Sequence, residues 1–166
     1  GVDDGELTFH QVAANGVATD LTITGSAPVG GAELFLFGNG GVQDGSYLVI
    51  DATDDAGNNS STLAIVNNTN TVTVDLHRAG LTEFDFTSID LSFAPEARLT
   101  LSAADLQALT GPDHELMIKG AGDDSVSLAS ATATGQTREI DGQTYDVYNL
   151  GTGTVLVDED IQTTII

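Results

Sequence analysis

The chain has 166 residues, which is enough for one domain of ordinary size or for two small ones. Its 25 Asp and Glu residues outnumber its 4 Lys and Arg residues, and the formal net charge of −21 argues against nucleic acid and anionic membrane surfaces as partners. This charge instead favours cations, or a high-salt medium that screens it. The absence of cysteine excludes disulfides, thiolate metal sites and cysteine nucleophiles.

No stretch of the sequence approaches the ~18 consecutive apolar residues of a membrane-spanning helix. No basic segment precedes an apolar core at the start, as it would in a signal peptide. We therefore expect no membrane insertion, and a chain that is either a mature form or a segment of a longer one.

The first half of the chain has the pattern of short strands joined by tight turns. Strand-like patterns occupy residues 6–13, 19–25, 32–38, 46–53, 61–66 and 70–76. Segments rich in Gly and Asn separate them, and these residue types suit the positive φ angles of turns. Six such stretches within about 75 residues are close to the roughly seven strands of a small β-sandwich, which we therefore predict for this half.

The second half begins with residues 83–93, where apolar and polar residues alternate with one change of register near Thr87 and Ser88. One helix follows over about 102–110, with Ser102 as its N-cap and Asp105 at the third helical position. Gly111 and the proline after it end this helix.

Four further strand-like stretches follow, with the Asp141-Gly142 pair marking a hairpin turn. We predict a mainly β fold with a soft boundary between about residues 75 and 82. It divides a module at 1–78 from a β-rich module at 79–166. No Pro-rich or Ser-rich linker marks the boundary, so a single packed unit is the alternative.

The segment DGSYLVIDATDDAGNNSS, residues 44–61, resembles the end of a bacterial immunoglobulin-like repeat of giant surface adhesins. The matching residues are Asp44, Gly45, Tyr47, Thr53, Asp54, Ala56, Gly57 and Asn58. Residues 22–37 are similar to the strand pair of the same repeats, although the insert that normally separates the two signatures is shorter here. The resemblance implies an Ig-like β-sandwich for residues 1–78.

Residues 89–128 and 141–165 are similar to a module of large secreted adhesins and RTX-associated proteins. In that module a strand leads to a Ser-Ala-Ala-Asp helix, then to Leu-x-Ile-x-Gly and Asp-Ser-Val strands, and to a final Tyr-x-Val-Tyr pair. The Gly-Gly-x-Gly-x-Asp nonapeptide of the calcium-binding RTX β-roll does not occur in this sequence. The resemblance implies a β-rich module with one short helix for residues 79–166.

The densest group of candidate cation ligands follows the strand at 46–53. Asp51, Asp54, Asp55 and Asn58 supply the hard oxygen ligands that Ca²⁺ prefers, and Gly57 lets the backbone turn. In the repeats that this segment resembles, the residue corresponding to Asp54 helps to hold calcium near a domain junction. The alternative is an ordinary turn, which also favours Asp, Asn and Gly. The spacing is not that of an EF-hand.

Two further acidic clusters are candidates for calcium sites between neighbouring modules. They comprise Asp3, Asp4 and Glu6 near the start, and Asp158, Glu159 and Asp160 near the end. The alternative for both is a solvated acidic segment. We expect the pair Asp123 and Asp124 to cap a turn rather than to bind metal.

The sequence contains no catalytic motif around its three histidines, His10, His77 and His114, so we expect a protein that is not an enzyme. Tyr145 and Tyr148 could form an aromatic platform for a sugar ring if they are exposed, but their spacing also fits core packing.

These patterns lead to three functional hypotheses. The first is a calcium-stabilised structural or adhesive module of a large secreted bacterial cell-surface protein, of the kind found in biofilms, whose partners are neighbouring modules of the same chain. The second is a self-assembling subunit of an extracellular filament or surface layer, in which copies join by strand exchange. The third is a calcium-dependent carbohydrate-binding module with a surface glycan as partner.

Overall fold

The computed structural model describes residues 7–30, 32–38, 40–53, 57–69 and 71–166. They form fifteen strands, one α-helix and one 3₁₀ helix, which confirms the predicted mainly β fold. None of the helices in this part of the chain has the length and apolar character needed to traverse a lipid bilayer.

Short connections join the elements along the chain. The first strands are β1 (Leu7–Val12), β2 (Ala18–Asp20), β3 (Ile23–Val29), β4 (Ala32–Phe37), β5 (Tyr47–Thr53), β6 (Asn59–Ile65) and β7 (Val72–Thr73). After the 3₁₀ helix (Ala79–Glu83) come β8 (Phe86–Asp90), β9 (Ala97–Leu101), α1 (Ala103–Leu109), β10 (Glu115–Lys119), β11 (Ser125–Leu128), β12 (Thr132–Ile140), β13 (Gln143–Leu150), β14 (Gly153–Asp158) and β15 (Gln162–Ile165).

From β6 onward the chain coils around one core. A nine-stranded first sheet has the order β12-β13-β14-β10-β8-β6-β5-β1-β2, and a four-stranded second sheet has the order β15-β11-β9-β7. The strands β6, β8, β10 and β14 are parallel in the first sheet, and β7, β9, β11 and β15 are parallel in the second. Each turn of the coil therefore adds one strand to each sheet, which is the architecture of a two-sheet β-solenoid.

Equivalent positions of successive turns stack into apolar ladders inside the coil. Ile89 pairs with Leu63 on one side and with Ile118 on the other, and Ile118 pairs with Val157. All four side chains are fully buried in a single cluster that also contains the second-sheet residues of the coil. The stacked ladders explain why β-branched and Leu residues recur at these positions.

The boundary predicted near residue 78 lies between β7 and β8, which belong to consecutive turns of this coil. Strands from both sides of it pair directly, because β6 and β8 are parallel neighbours in the first sheet. The immunoglobulin-like arrangement predicted for residues 1–78 is not confirmed, since the sheets of that fold are antiparallel. The strands β1, β2 and β5 instead extend the first sheet as an antiparallel meander.

Several local predictions are confirmed. Ser61 pairs with Phe86 and Thr62 with Ser88, so Thr87 is the extra residue of a β-bulge at the predicted change of register. Ser102 caps α1 in a reciprocal capping box with Asp105. The β12–β13 hairpin turns at Asp141 and Gly142, with φ angles of 53° and 84°.

Arg78, which precedes the 3₁₀ helix, connects the start of this helix to the first sheet. Its guanidinium group lies 3.5 Å from the ring centroid of Tyr47 and donates hydrogen bonds to the carbonyl oxygens of Val12 and Gly45. The Tyr47 hydroxyl accepts a hydrogen bond from the Asp75 amide at 2.6 Å. These contacts close the coil at the β7 end, where Leu81 is buried in the common core.

Candidate functional site

A groove lies at one edge of the first sheet, where the parallel strands β6, β8 and β10 begin and the antiparallel strand β5 ends. Neighbouring parallel strands start at the same edge of a sheet, which brings together segments that are far apart in sequence. The groove has a volume of about 550 Å³, and its described lining consists of residues 83–87, residues 111–115, Asp51, Thr53, Asn59 and Ser61.

The lining of this groove is strongly acidic. Its carboxylates are Asp51, Glu83, Asp85, Asp113 and Glu115. No Lys or Arg is among the described lining residues, and the imidazole of His114 is the one ionisable group there that can become positive. Phe84, Phe86 and Pro112 contribute apolar surface. The groove is therefore suited to a cation rather than to an anion.

Asp51 makes contacts on both of its carboxylate oxygens. Oδ1 accepts a hydrogen bond from the Ser61 hydroxyl, and Oδ2 lies 3.1 Å from Nε2 of His10. The other ring nitrogen of His10, Nδ1, lies 2.9 Å from Oδ1 of Asp20, and Phe84 packs against the ring. The imidazole of His10 therefore connects the carboxylates of Asp20 and Asp51 across β1.

The predicted calcium-binding turn begins and ends at the groove. Thr53, the last residue of β5, donates a hydrogen bond from its hydroxyl to the Asn59 side chain at 2.8 Å, and both residues line the groove. Asn58 is exposed. Asp54 and Asp55 lie outside the described residues. The predicted ligands are thus connected to the acidic groove at both ends of their segment.

The predicted site near the end of the sequence is a turn between β14 and β15. Asp158 is only 6% exposed, and its Oδ1 accepts hydrogen bonds from the Gln143 side-chain amide at 2.8 Å and from the Asp160 backbone at 3.1 Å. Asp160 is exposed. The other predicted terminal ligands, Asp3, Asp4 and Glu6, lie outside the described residues. In the described part of the chain, no group of three or more His, Asp or Glu side chains is arranged to hold one metal ion.

The same kind of turn recurs where the chain leaves the first sheet for the second. Asn67, Asp90 and Asp158 each accept a hydrogen bond from the backbone amide two residues later, at 2.7, 3.0 and 3.1 Å respectively. These are Asx turns, which reverse the chain without a left-handed residue. Some of the acidic residues, such as Asp90 and Asp158, therefore stabilise the turns between the two sheets.

Asp124 is the last residue of the turn between β10 and β11, and it is buried. Its Oδ1 accepts a hydrogen bond from the Ala97 amide at 2.8 Å, and its Oδ2 accepts one from the Ala121 amide at 2.9 Å. Burial raises the pKa of Asp124, and the two amide hydrogen bonds partly oppose this shift. The expectation that Asp124 caps a turn is confirmed, and the side chain also joins that turn to β9.

We expect Asp124→Asn to lower the free energy of unfolding by about 1–3 kcal/mol. An amide group retains one acceptor oxygen, so one of the two buried backbone amides would face an NH₂ donor instead. Urea unfolding followed by circular dichroism measures the effect. Asp123→Asn is the matched control, since Asp123 is exposed in the same turn. An equal effect of both substitutions would show that the buried contacts of Asp124 contribute nothing.

The two tyrosines considered for sugar binding do not form an exposed platform. Tyr145 is only 4% exposed and packs with Val147 and Leu156. Tyr148 is half-buried, and its hydroxyl hydrogen-bonds with the side chain of Thr163. Burial raises the pKa of both phenols, with nearby carboxylates adding to the shift. The spacing of the two tyrosines therefore reflects packing on both faces of β13, which is the alternative that the sequence favoured over a platform.

In comparisons with known proteins, no family model matches the sequence, and no curated protein and no solved structure is significantly similar to the chain. Sequence reasoning missed the groove residues Glu83, Asp85, Asp113 and Glu115. All four residues lie shortly before or at the start of β8 or β10, and this shared position is the feature that could have identified them. It becomes informative only when these two strands are known to be parallel neighbours.

Proposed function

We propose that this chain is a calcium-stabilised structural or adhesive module of a large secreted bacterial cell-surface protein. The main support is that Asp51, Thr53 and Asn59 line a groove that has five carboxylates and, among its described residues, no Lys or Arg. Such a concentration of oxygen ligands matches the coordination preference of Ca²⁺. The module acts outside the cell, and its partners are neighbouring modules of the same polypeptide.

The charge of the chain makes a bound cation favourable. Two like unit charges about 8 Å apart repel by roughly 0.5 kcal/mol in water and by about 2 kcal/mol at an effective dielectric constant near 20. With a formal net charge of −21, many such pairs oppose the folded state. A divalent ion at the groove would relieve several of them at once, and it would link the ends of β5, β6, β8 and β10.

The coil supplies the mechanical part of the proposal. Its stacked turns pair through backbone hydrogen bonds and share one continuous apolar core, so the module should resist bending between its ends. A stiff unit with an acidic surface suits a spacer or anchor whose rigidity depends on extracellular calcium. Calcium at acidic junctions would then bridge successive modules.

Calcium should raise the melting temperature of the protein. For a site with a Kd near ~0.1 mM, 10 mM calcium is about a hundredfold excess and stabilises by about 2.7 kcal/mol, which corresponds to roughly 5–10 °C for a chain of this size. The measurement is thermal unfolding in EDTA and in 10 mM calcium at equal ionic strength, with 10 mM magnesium as the test of ion specificity. Size-exclusion chromatography records the particle size in each condition.

Asp54→Ala should abolish most of this calcium-dependent rise, whereas the control Glu139→Ala should leave it unchanged. Both substitutions remove one negative charge, but Glu139 is exposed on β12, the edge strand at the far side of the first sheet. A melting temperature that is the same in EDTA and in calcium would contradict the proposal. Calcium-driven growth into large regular particles would instead favour the assembling subunit.

A further inference from the structure

The β3–β4 hairpin forms a separate two-stranded sheet beside the coil. It packs on the outer face of the first sheet through Phe35 and Phe37, whose ring centroids lie 5.0 and 5.1 Å from that of Phe9. Successive residues of a strand point to opposite faces, so Leu34 and Leu36 lie on the face of the hairpin that is directed away from the coil. Because an isolated two-stranded hairpin is only marginally stable, a second layer on this outward face would add to its stability.

The outward face of the hairpin is apolar and exposed. Leu34 is 49% exposed, Leu36 56% and Val29 57%. The register places Ala27 opposite Leu34 and Gly25 opposite Leu36, so these two small residues belong to the same face. The three large side chains alone expose roughly 300 Å² of apolar surface, and patches of this size on soluble proteins are often interaction sites.

The outward face also lacks charge, although the chain has a formal net charge of −21. Glu33 is the only charged residue between positions 21 and 38. It pairs with Pro28, and alternation places it on the face of Phe35 rather than on the outward face. Asp20, which precedes this segment, hydrogen-bonds with the ring of His10 at 2.9 Å. Two acidic copies of the chain would therefore repel each other least at this face.

The outward face is complementary to itself. Each of two cross-strand pairs combines a large residue of β4 with a small residue of β3, namely Leu34 with Ala27 and Leu36 with Gly25. A two-fold axis that lies between two such faces, parallel to the strands, places β4 of one copy over β3 of the other. Each leucine then lies over a small residue of the partner, at the same level along the strands. Such alternation of large and small residues fills the ~10 Å between two packed sheets.

We propose that the outward face of the β3–β4 hairpin binds the same face of a second copy of the chain in a closed two-fold dimer. The interface is isologous, because the same residues of both copies form it. Each hairpin is then covered on both faces, by its own first sheet and by the hairpin of the partner. The contact does not involve the proposed calcium site.

The position of the hairpin keeps the two coils apart in this dimer. Sheets that pack face to face are ~10 Å apart, so the two first sheets, with two hairpins between them, are separated by about 30 Å. This separation is several times the Debye length of ~8 Å at physiological ionic strength. The acidic grooves and most of the other carboxylates of the two copies therefore repel each other only weakly.

Sedimentation equilibrium of the intact protein tests this dimer. Both faces together bury roughly 600 Å² of apolar surface, less than the ~1,200–2,000 Å² of stable complexes, so we expect a weak dimer with a dissociation constant of about 0.1 mM. The measurement extends to about 1 mM protein in 1 M NaCl, where the Debye length is ~3 Å. The expected limit is a species of twice the 17.1 kDa chain mass.

Two substitutions on the outward face should each raise the dissociation constant at least about tenfold. Leu36→Ser removes a buried apolar side chain from both copies, and Ala27→Arg fills the place that Leu34 of the partner occupies. Ala27 is exposed, so the arginine variant should keep its fold, as circular dichroism will show. It also reduces the net negative charge, so general electrostatics would strengthen association.

Phe93→Ser is the matched control and should leave the dissociation constant within a factor of two. Phe93 is 55% exposed between β8 and β9, close to the 56% of Leu36, and both substitutions replace an exposed apolar side chain with serine without changing the charge. A monomer at all concentrations or growth beyond the dimer would overturn the proposal. So would a dimer that Ala27→Arg leaves unchanged or strengthens, or one that Phe93→Ser weakens as much as Leu36→Ser does.

Discussion

Replacing Gly153 with valine should destabilise the protein by at least about 3 kcal/mol, and the variant is expected to be largely unfolded at 37 °C. A Cβ atom at this position would lie 2.4 Å from the carbonyl oxygen of His114 and 2.6 Å from Cδ2 of Leu106. The His114 oxygen also accepts the Thr154 amide at 2.9 Å, so it cannot move away without breaking the start of β14. Circular dichroism and urea unfolding measure the loss.

Gly122→Ala is the matched control for this substitution. A Cβ atom at Gly122 would meet the backbone oxygen of Asp160 at 3.7 Å, an ordinary van der Waals contact, and its φ is not in the left-handed region. We expect an effect within about 0.5 kcal/mol. If Gly153→Val were as stable as Gly122→Ala, the close packing of α1 against β14 would be wrong.

Ile118→Ala should cost about 2–5 kcal/mol of unfolding free energy. Ile118 is fully buried at the centre of the ladder formed with Leu63, Ile89 and Val157, so its removal leaves a cavity bordered by three turns of the coil. Because the whole coil has one core, unfolding should remain a single transition that moves to lower urea concentration as a unit. Urea unfolding by circular dichroism gives both the cost and the shape of the transition.

Met117→Ala is the matched comparison, since Met117 precedes Ile118 on the same strand and lies half-buried on the opposite face of the sheet. It should cost at most about half as much. A variant Ile118→Ala that split the unfolding into two separate transitions would argue for two independent modules divided near residue 78.

Much of the local structure could be predicted from the sequence, because short-range patterns determine it. Alternation of apolar and polar residues located most of the strands, and the Ser102–Asp105 capping box defined the start of the helix. The change of period at Thr87 marked a real bulge, which places both Phe86 and Ile89 in the core although they are three positions apart. These signals require only neighbours in the chain.

The coil itself could not be predicted in the same way. Parallel pairing joins residues about 27 positions apart, such as Ser125 and Arg98. The sequence has no exact repeat that would indicate this pairing. The acidic groove depends on this pairing, because Asp85 and Glu115 approach each other only when β8 and β10 are adjacent and parallel. The resemblance to antiparallel immunoglobulin-like repeats pointed to a different sheet arrangement for residues 1–78.

Acidic side chains were also difficult to assign, since the same residue types serve two purposes in this fold. Asp124 and Asp158 are buried or nearly buried in turns and satisfy backbone and side-chain donors. Asp85, Asp113 and Glu115 instead line an open groove. Sequence context alone does not distinguish these environments, because Asp is favoured both in turns and as a calcium ligand.

Direct measurement of bound calcium is the most decisive test of the proposed function. Equilibrium dialysis of EDTA-treated protein against radioactive calcium should show at least one ion bound per chain with a Kd of about 1 mM or tighter, the range of extracellular calcium modules. Glu139→Ala should bind the same amount, and Asp54→Ala should lose this ion. The absence of bound calcium at several millimolar free ion would contradict the account.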